Sequence, residues 1–366
     1  MKVKIILVFI FVLLLLLVLI GGVLWQEIGQ KPKGERLKRV QNSPHYVNGG
    51  FQNEKKVIQI TTDKSYFQMM KDFLFVHYPD VTPKVALPTV KTDLHQLDRK
   101  QNVMIWLGHS TVFIQMDGIR YLFDPVLEYG FPSNVMMKPY LGTAIYTPED
   151  IPDIDYLVIT HDHWDHLDRR TVIALRSRVA HVVCGLGVGQ HFEYWGYDAD
   201  KIHDLDWNDK WVVDDRTTLH CLESRHVSGR MGSGNPTLFA SYMIEGTQNV
   251  YITGDTGFGD HFEKIAKLFP KIDLAIMENG QYGVDWHQMH LMPHELQEAV
   301  KILQPHAFMT YHHAKFSLSN HPWYAPLENI TKAAEANHWH LLTPMIGFPV
   351  SLEAPSAEER WWKSMM

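Results

Sequence analysis

One ten-residue stretch constrains this chain more than any other. Ile159-Thr160-His161-Asp162-His163-Trp164-Asp165-His166-Leu167-Asp168 sets histidines and aspartates directly behind the apolar run Tyr156–Ile159. Burying so many ionisable groups at a strand end is unfavourable unless something organises them. In H-x-H-x-D-H, His161 and His163 flank one residue, so on extended backbone they point to one side and reach one ion. Asp165 and His166 follow where the chain turns towards a helix, an offset that suits a second ion. Imidazole together with carboxylate suits zinc, and also iron or manganese. A merely charged, helix-capping loop would leave the clustering unexplained.

Further candidate ligands stand in the same kind of place, just past the C-terminal end of an apolar run. His226 follows Thr218–Leu222, Asp255 follows Val250–Thr253, and His312 follows Ala307–Tyr311. Cysteine cannot supply ligands here. The chain has only Cys184 and Cys221, neither in a C-x-x-C pair, and both read as buried free thiols.

With 366 residues and 45% hydrophobic content, the chain can bury a large core. A net charge of −7 without a basic stripe argues against nucleic acid as a partner. Ile5–Trp25 carries no charged side chain. That is long enough for a helix across a bilayer, which takes about 20 residues. A cleaved signal would have a shorter apolar region and a small-residue cleavage site, so residues 1–25 read as an uncleaved single-pass anchor. Its orientation stays open. The lysines and arginines beyond the span (Lys31, Lys33, Arg36, Lys38, Arg39) favour a cytoplasmic domain, whereas the short basic start resembles an export anchor.

Residues 26–60 are polar and basic and read as a linker, leaving 61–366 as one domain that should fold without its first forty residues. Residues 64–100, rich in aromatics and prolines, read as an irregular cap. Short β-branched and aromatic runs then suggest strands at 103–107, 111–114, 121–123, 156–159, 181–184, 218–222, 238–244, 250–253 and 307–311. Helical spacing appears at 169–178, 260–269 and 293–303. The fold class is therefore α/β in the mixed α+β sense, with two sheets sandwiched between helices.

No nucleophile elbow or phosphate-binding loop is present, and "CGLGVG" at 184–189 lacks the spacing of a dinucleotide fingerprint. Water is the expected nucleophile, since paired metal ions lower its pKa and clamp the reacting oxygens. The charge of two divalent ions would exceed that of Asp165, Asp255 and a hydroxide, which favours an anionic phosphodiester without excluding lactones or lactams. The anchor places such a site near lipid. Segment 64–80 and Trp361-Trp362 either touch the interface or pack on the domain.

Seven segments together resemble the metallo-β-lactamase superfamily. They are "WLGHSTVFI" (106–114), "LFDPV" (122–126), "THDHWDHLD" (160–168), "SRHVSGR" (224–230), "GDTGF" (254–258), "QMHLMPHE" (288–295) and "YHHAKFSL" (311–318). The likeness spans roughly residues 60 to 345 and is closest to the branch of N-acyl-phosphatidylethanolamine-hydrolysing phospholipase D. It implies a four-layer αβ/βα sandwich and two zinc ions per chain. One zinc would be held by His161, His163 and His226, the other by Asp165, His166 and His312, with Asp255 bridging. Asp165, Asp255 and His290 would act in catalysis, while His109 and Asp124 orient ligands. The implied reaction releases N-acylethanolamine and phosphatidic acid from a membrane phospholipid, in a chain that can form a homodimer. A lactonase or ester hydrolase of the same fold is the alternative within the class. A non-catalytic membrane protein stabilised by zinc is the alternative outside it, although closed structural zinc sites usually use cysteine.

Overall fold

The computed structural model describes residues 2–129, 134, 137–231, 234–357 and 360–366. The chain opens with helix α1 (Lys2–Ile28), α2 (Gly34–Asn42), a hairpin of β1 (Tyr46–Val47) and β2 (Gly50–Phe51), and α3 (Tyr66–Phe75). The first half of the sandwich follows: β3 (Val103–Trp106), β4 (Val112–Met116), β5 (Ile119–Phe123), β6 (Ile154–Ile159), α4 (Arg169–Leu175), β7 (Val179–Gly185), α5 (Gly189–Tyr194) and β8 (Ile202–Leu205). The second half runs β9 (Lys210–Val212), β10 (Thr218–Leu222), β11 (Ser241–Glu245), β12 (Val250–Ile252), α6 (His261–Leu268), β13 (Leu274–Glu278), α7 (Pro293–Leu303), β14 (Ala307–Tyr311), α8 (Ala325–Asn337) and β15 (Leu341–Leu342). Strand β16 (Pro349–Ser351) returns to the first sheet.

Two seven-stranded sheets result, ordered β16-β3-β4-β5-β6-β7-β8 and β15-β14-β13-β12-β11-β10-β9. Met104, Trp106, Tyr242 and Ile252 meet in the layer between the sheets, whereas Ile105 and Leu157 face α4 and α5. On the other outer side Met243 and Met277 pack on α6, α7 and α8. Both faces of each sheet are covered, so the strands read as continuous apolar runs rather than alternating ones. This is the expected helix–sheet–sheet–helix sandwich. Strands β5 to β8 and β12 to β15 are parallel. The loops leaving their C-terminal ends are where such sheets carry their sites.

In α1, Phe9–Ile28 has a mean hydropathy of 2.7 over 20 residues, is long and apolar enough to cross a membrane, and its most apolar window has no buried residue. The following residues correct the sequence reading: 26–60 is not a free linker. Val40 and Phe51 are fully buried in the central core. Arg36 pairs with the buried Asp204, and Arg39 donates to the Asp204 carbonyl at 2.5 Å. A mostly polar stretch looked like linker because two apolar anchors and two arginines suffice to dock it. The C-terminal tryptophans face inward as well. Trp362 is fully buried with its Nε1 donating to Glu328 Oε1 at 2.6 Å, so the pair packs on the domain and does not meet an interface. Tyr66, Phe67 and Phe75 on α3 do stand exposed. That helix is regular, capped by Ser65 and Gln68 in a reciprocal box.

Candidate metal centre

His161 and His163 leave the end of β6 with His161 Nε2 2.9 Å from His163 Nδ1. His226 arrives from the loop after β10, its Nε2 3.2 Å from the same His163 nitrogen. The outer nitrogens of the other two rings are spoken for. His226 Nδ1 donates to the Met289 carbonyl at 2.9 Å. His161 Nδ1 lies 3.1 Å from Thr160 Oγ1, which itself donates to Asp124 Oδ2 at 2.6 Å. The inward nitrogens of His161 and His226 are thus lone pairs, and both are aimed at one nitrogen that carries at most one proton. Burial holds the pKa values of His161 and His226 well below the usual imidazole range, keeping both neutral. Converging neutral lone pairs are what a cation would satisfy.

A second group adjoins it. Asp165 Oδ2 is 3.6 Å from His166 Nε2 and 3.9 Å from His312 Nε2. Asp255, at the end of β12, faces both groups. Its Oδ2 lies 3.9 Å from His161, 3.8 Å from His226 and 3.3 Å from His312, and its Oδ1 is 3.2 Å from His166. Oδ1 of Asp255 is buried without a hydrogen bond, an orphaned acceptor that fits a cation. Burial raises the Asp255 carboxyl to about 6. Burial also lowers His166, but Asp255, Asp165 and Asp124 outweigh it and push this imidazole well above its ordinary value. Asp124 Oδ2 holds His166 Nδ1 at 2.8 Å and Ser110 Oγ holds His312 Nδ1 at 2.8 Å, so both rings present Nε2 inward. His109 Nε2 grips Asp165 Oδ2 at 2.8 Å.

The cluster brings together all seven residues singled out as ligands: His161, His163, Asp165, His166, His226, Asp255 and His312. His290 joins its edge, with Nδ1 4.0 Å from Asp255 Oδ2. His313 turns away to Thr310 Oγ1 at 3.2 Å and the edge of Trp106. Strand alternation is not the cause, because β14 ends at Tyr311. His312 takes φ +68, a left-handed turn that swings its ring into the cluster. Glu278 is a further member of the cluster. It ends β13, a strand the sequence reading passes over, although an apolar run closed by Glu278-Asn279-Gly280 carries the same signature as the other ligand positions.

A family model described as the beta-lactamase superfamily domain matches residues 119–313. The chain belongs to that superfamily. Among superfamily relatives, an uncharacterized protein of Mycobacterium tuberculosis is 33% identical over 329 residues, 88% of each chain. N-acyl-phosphatidylethanolamine-hydrolyzing phospholipase D 1 of Caenorhabditis elegans is 29% identical over 60% of this chain and 65% of its own. Among solved structures, a metallo hydrolase from Ignicoccus hospitalis matches with TM-score 0.52 at 20% identity, over 69% of this chain and 98% of that one. The diiron β-hydroxylase CmlA from Streptomyces venezuelae matches with TM-score 0.56 at 18% identity, over 69% of this chain and 54% of that one. At these identities the two structures speak for the fold alone. This superfamily member is a metal-dependent hydrolase of the metallo-β-lactamase fold.

The superfamily cluster floors a cavity of about 450 Å³. His163, Asp165, Asp255, His290 and His312 supply its polar end, while Ile60, Tyr66, Met69, Trp286, Met289 and Leu318 supply apolar wall. Asp165 and His290 keep 14% side-chain exposure each, against 2% for Asp255, and His163 is likewise only half-buried, so these three are open to a ligand in the cavity.

Proposed function

We propose that this hydrolase is a membrane-anchored phospholipase D-type phosphodiesterase. It would cleave N-acyl-phosphatidylethanolamine to N-acylethanolamine and phosphatidic acid with two zinc ions. One observation carries the reading: the cavity joins metal-ligating side chains to an apolar wall that ends at Tyr66 of α3, a helix with exposed aromatics. A headgroup phosphate fits the polar end and acyl chains fit the wall. The nematode relative's name and the apolar α1 support the same substrate class.

Within the proposal, His161, His163 and His226 would hold one zinc and Asp165, His166 and His312 the other, with Asp255 facing both donor groups. Bound zinc would supply Lewis acidity towards the phosphate and lower the pKa of the attacking water. Asp165, steadied by His109, orients that water and takes its proton. The water oxygen bonds to phosphorus as the bond from phosphorus to the N-acylethanolamine oxygen breaks. His290, whose Nδ1 lies 2.5 Å from Glu278 Oε1, delivers its Nε2 proton to the departing oxygen, and the buried Glu278 carboxyl, held well above its ordinary pKa, replaces that proton at Nδ1.

The test uses the full chain in detergent, loaded with zinc and given N-acyl-phosphatidylethanolamine in mixed micelles. Mass spectrometry should find phosphatidic acid and N-acylethanolamine in equal amounts, abolished by a chelator. Turnover of a lactone panel with the phospholipid left intact would favour an ester hydrolase instead. Binding of metal and lipid with no turnover of either would leave a non-catalytic role.

A further inference from the structure

The three histidines of the first donor group ride on two loops, 160–168 and 224–230, and one carboxylate joins those loops. Asp162 stands between His161 and His163 and is 1% exposed. Its Oδ1 accepts from the Gly229 amide at 2.7 Å, and its Oδ2 lies 3.2 Å from His191 Nε2. On the other side of the same ring, the Gln30 amide donates to His191 Nδ1 at 3.1 Å. A backbone amide can only donate, so Nδ1 is the acceptor and Nε2 carries the proton offered to Asp162. Residue 30 thereby sets the tautomer that pins Asp162.

Parallel contacts tie the same two pieces together. Arg230 Nε donates to the Glu27 carbonyl at 3.1 Å, while its Nη1 donates to the carbonyls of Asp162 at 3.1 Å and Leu167 at 2.6 Å. Its guanidinium lies 3.9 Å from the Trp164 ring centre. Trp195 Nε1 donates to the Gln26 carbonyl at 2.8 Å and its ring stacks on His191. Gly29 makes the approach feasible. It takes φ +78, and a Cβ there would sit 2.2 Å from His191 Nδ1.

We propose that Gln26–Gln30, where α1 ends, is a positioning clamp for the metal centre. Through His191, Asp162 and Arg230 it fixes the loop bearing His161 and His163 against the loop bearing His226. The inference rests on the reading of those three histidines as one ion's ligands. It makes the membrane-type helix and the metal site one mechanical piece, so residues outside the matched family domain tune how tightly an ion is held.

Four variants of the full chain in detergent test it: Gly29→Val, His191→Ala, His191→Gln, and Gly22→Val as a control with nothing near its Cβ. Zinc affinity is read by competition with a chromophoric chelator, and geometry by the ligand-field absorption of the cobalt-loaded chain. Gly29→Val and His191→Ala should each weaken one of the two metal equivalents by about 10–100-fold, the range for partners that orient a ligand, with the cobalt bands shifted. The second equivalent should bind as before. His191→Gln should recover most of the affinity, because its amide accepts from Gln30 and donates to Asp162. Gly22→Val should match the wild type. Unchanged affinities in folded variants would overturn the clamp while leaving the metal site standing. So would a joint fall of both equivalents together with a lost unfolding transition. A wild-type chain that takes up no metal would overturn the clamp and the metal reading alike.

Discussion

Glu278 Oε1 lies 2.5 Å from His290 Nδ1, and this contact braces the one cluster histidine that borders the cavity from outside the ligand set. The Glu278 side chain is fully buried, and its Oε2 accepts from the amides of Leu291 at 3.2 Å and Thr256 at 3.3 Å. Leu291 follows His290 and Thr256 follows Asp255, so one carboxyl group couples the loop of a proposed proton donor to the loop of a proposed bridging ligand. Burial pushes the Glu278 carboxyl well above its ordinary range.

Glu278→Ala should therefore lower kcat by about 10–100-fold with a much smaller change in KM, since it releases a ring that acts as the bond breaks. Glu278→Gln, which keeps an oxygen and the packing, should lose less. Steady-state kinetics of the zinc-loaded chain separates these outcomes. A rise in KM at unchanged kcat would assign Glu278 to substrate binding.

Asp255 faces both donor groups, so Asp255→Ala should lower both metal occupancies at once. Elemental analysis of the purified variant should show well under the two equivalents expected of the wild type. Loss of a single equivalent would mean that Asp255 serves one ion.

His312 and His313 are adjacent yet face opposite ways, the first 3.3 Å from Asp255 and the second against Thr310. His312→Ala should abolish turnover and weaken one metal site. His313→Ala should keep both ions and retain partial activity, its cost being in stability because the ring is buried. The opposite pattern in metal content and rate would reassign the ligand.

Removal of residues 1–24 should leave the unfolding temperature unchanged, because the most apolar window of Phe9–Ile28 has no buried residue among those described. Removal through residue 39 takes away Glu27, Arg36 and Arg39 and uncovers Val40. Thermal denaturation of that shorter chain should begin several degrees lower, at the few degrees per kcal/mol usual for a domain of this size. Equal stability of both truncations would restore the linker reading of residues 26–60.

Far from the metal centre, His203 Nε2 lies 3.1 Å from His181 Nδ1 and the ring stacks on Trp211 with centroids 3.7 Å apart. Burial lowers its pKa to about 4. Between the ordinary value of 6.5 and about 4 the unfolded chain binds a proton that the folded chain refuses. Stability is therefore lost as pH falls through that window and is unaffected above it. His203→Phe keeps the stack and should flatten the dependence. Unfolding temperatures at pH 7.5 and 4.5 should differ less in the variant than in the wild type, and equal differences would contradict the assignment.

The candidate metal centre was legible because its proposed ligands share a rule: each follows the C-terminal end of an apolar strand, and His161 and His163 carry the spacing themselves. The sandwich was legible because strands covered on both faces are apolar throughout. What stayed hidden depends on long-range partners. Glu278 matters through His290, twelve residues on. Asp162 looked like filler between two ligands until Gly229 and His191 closed on it. Residues 26–60 looked solvated because Arg36 finds its partner in Asp204, 168 residues away, and no local pattern announces such a pair. Trp361 and Trp362 suggested an interface by composition, yet the tertiary fold gave them Trp323 and Glu328 to pack against.

The most direct test of the account is hydrolysis of N-acyl-phosphatidylethanolamine in water enriched in oxygen-18. Attack of water on phosphorus predicts one heavy oxygen in the phosphatidic acid and none in the N-acylethanolamine, with no label incorporated when a chelator is present. Label appearing instead in a released fatty acid, or in the N-acylethanolamine hydroxyl, would contradict phosphodiester cleavage at this centre.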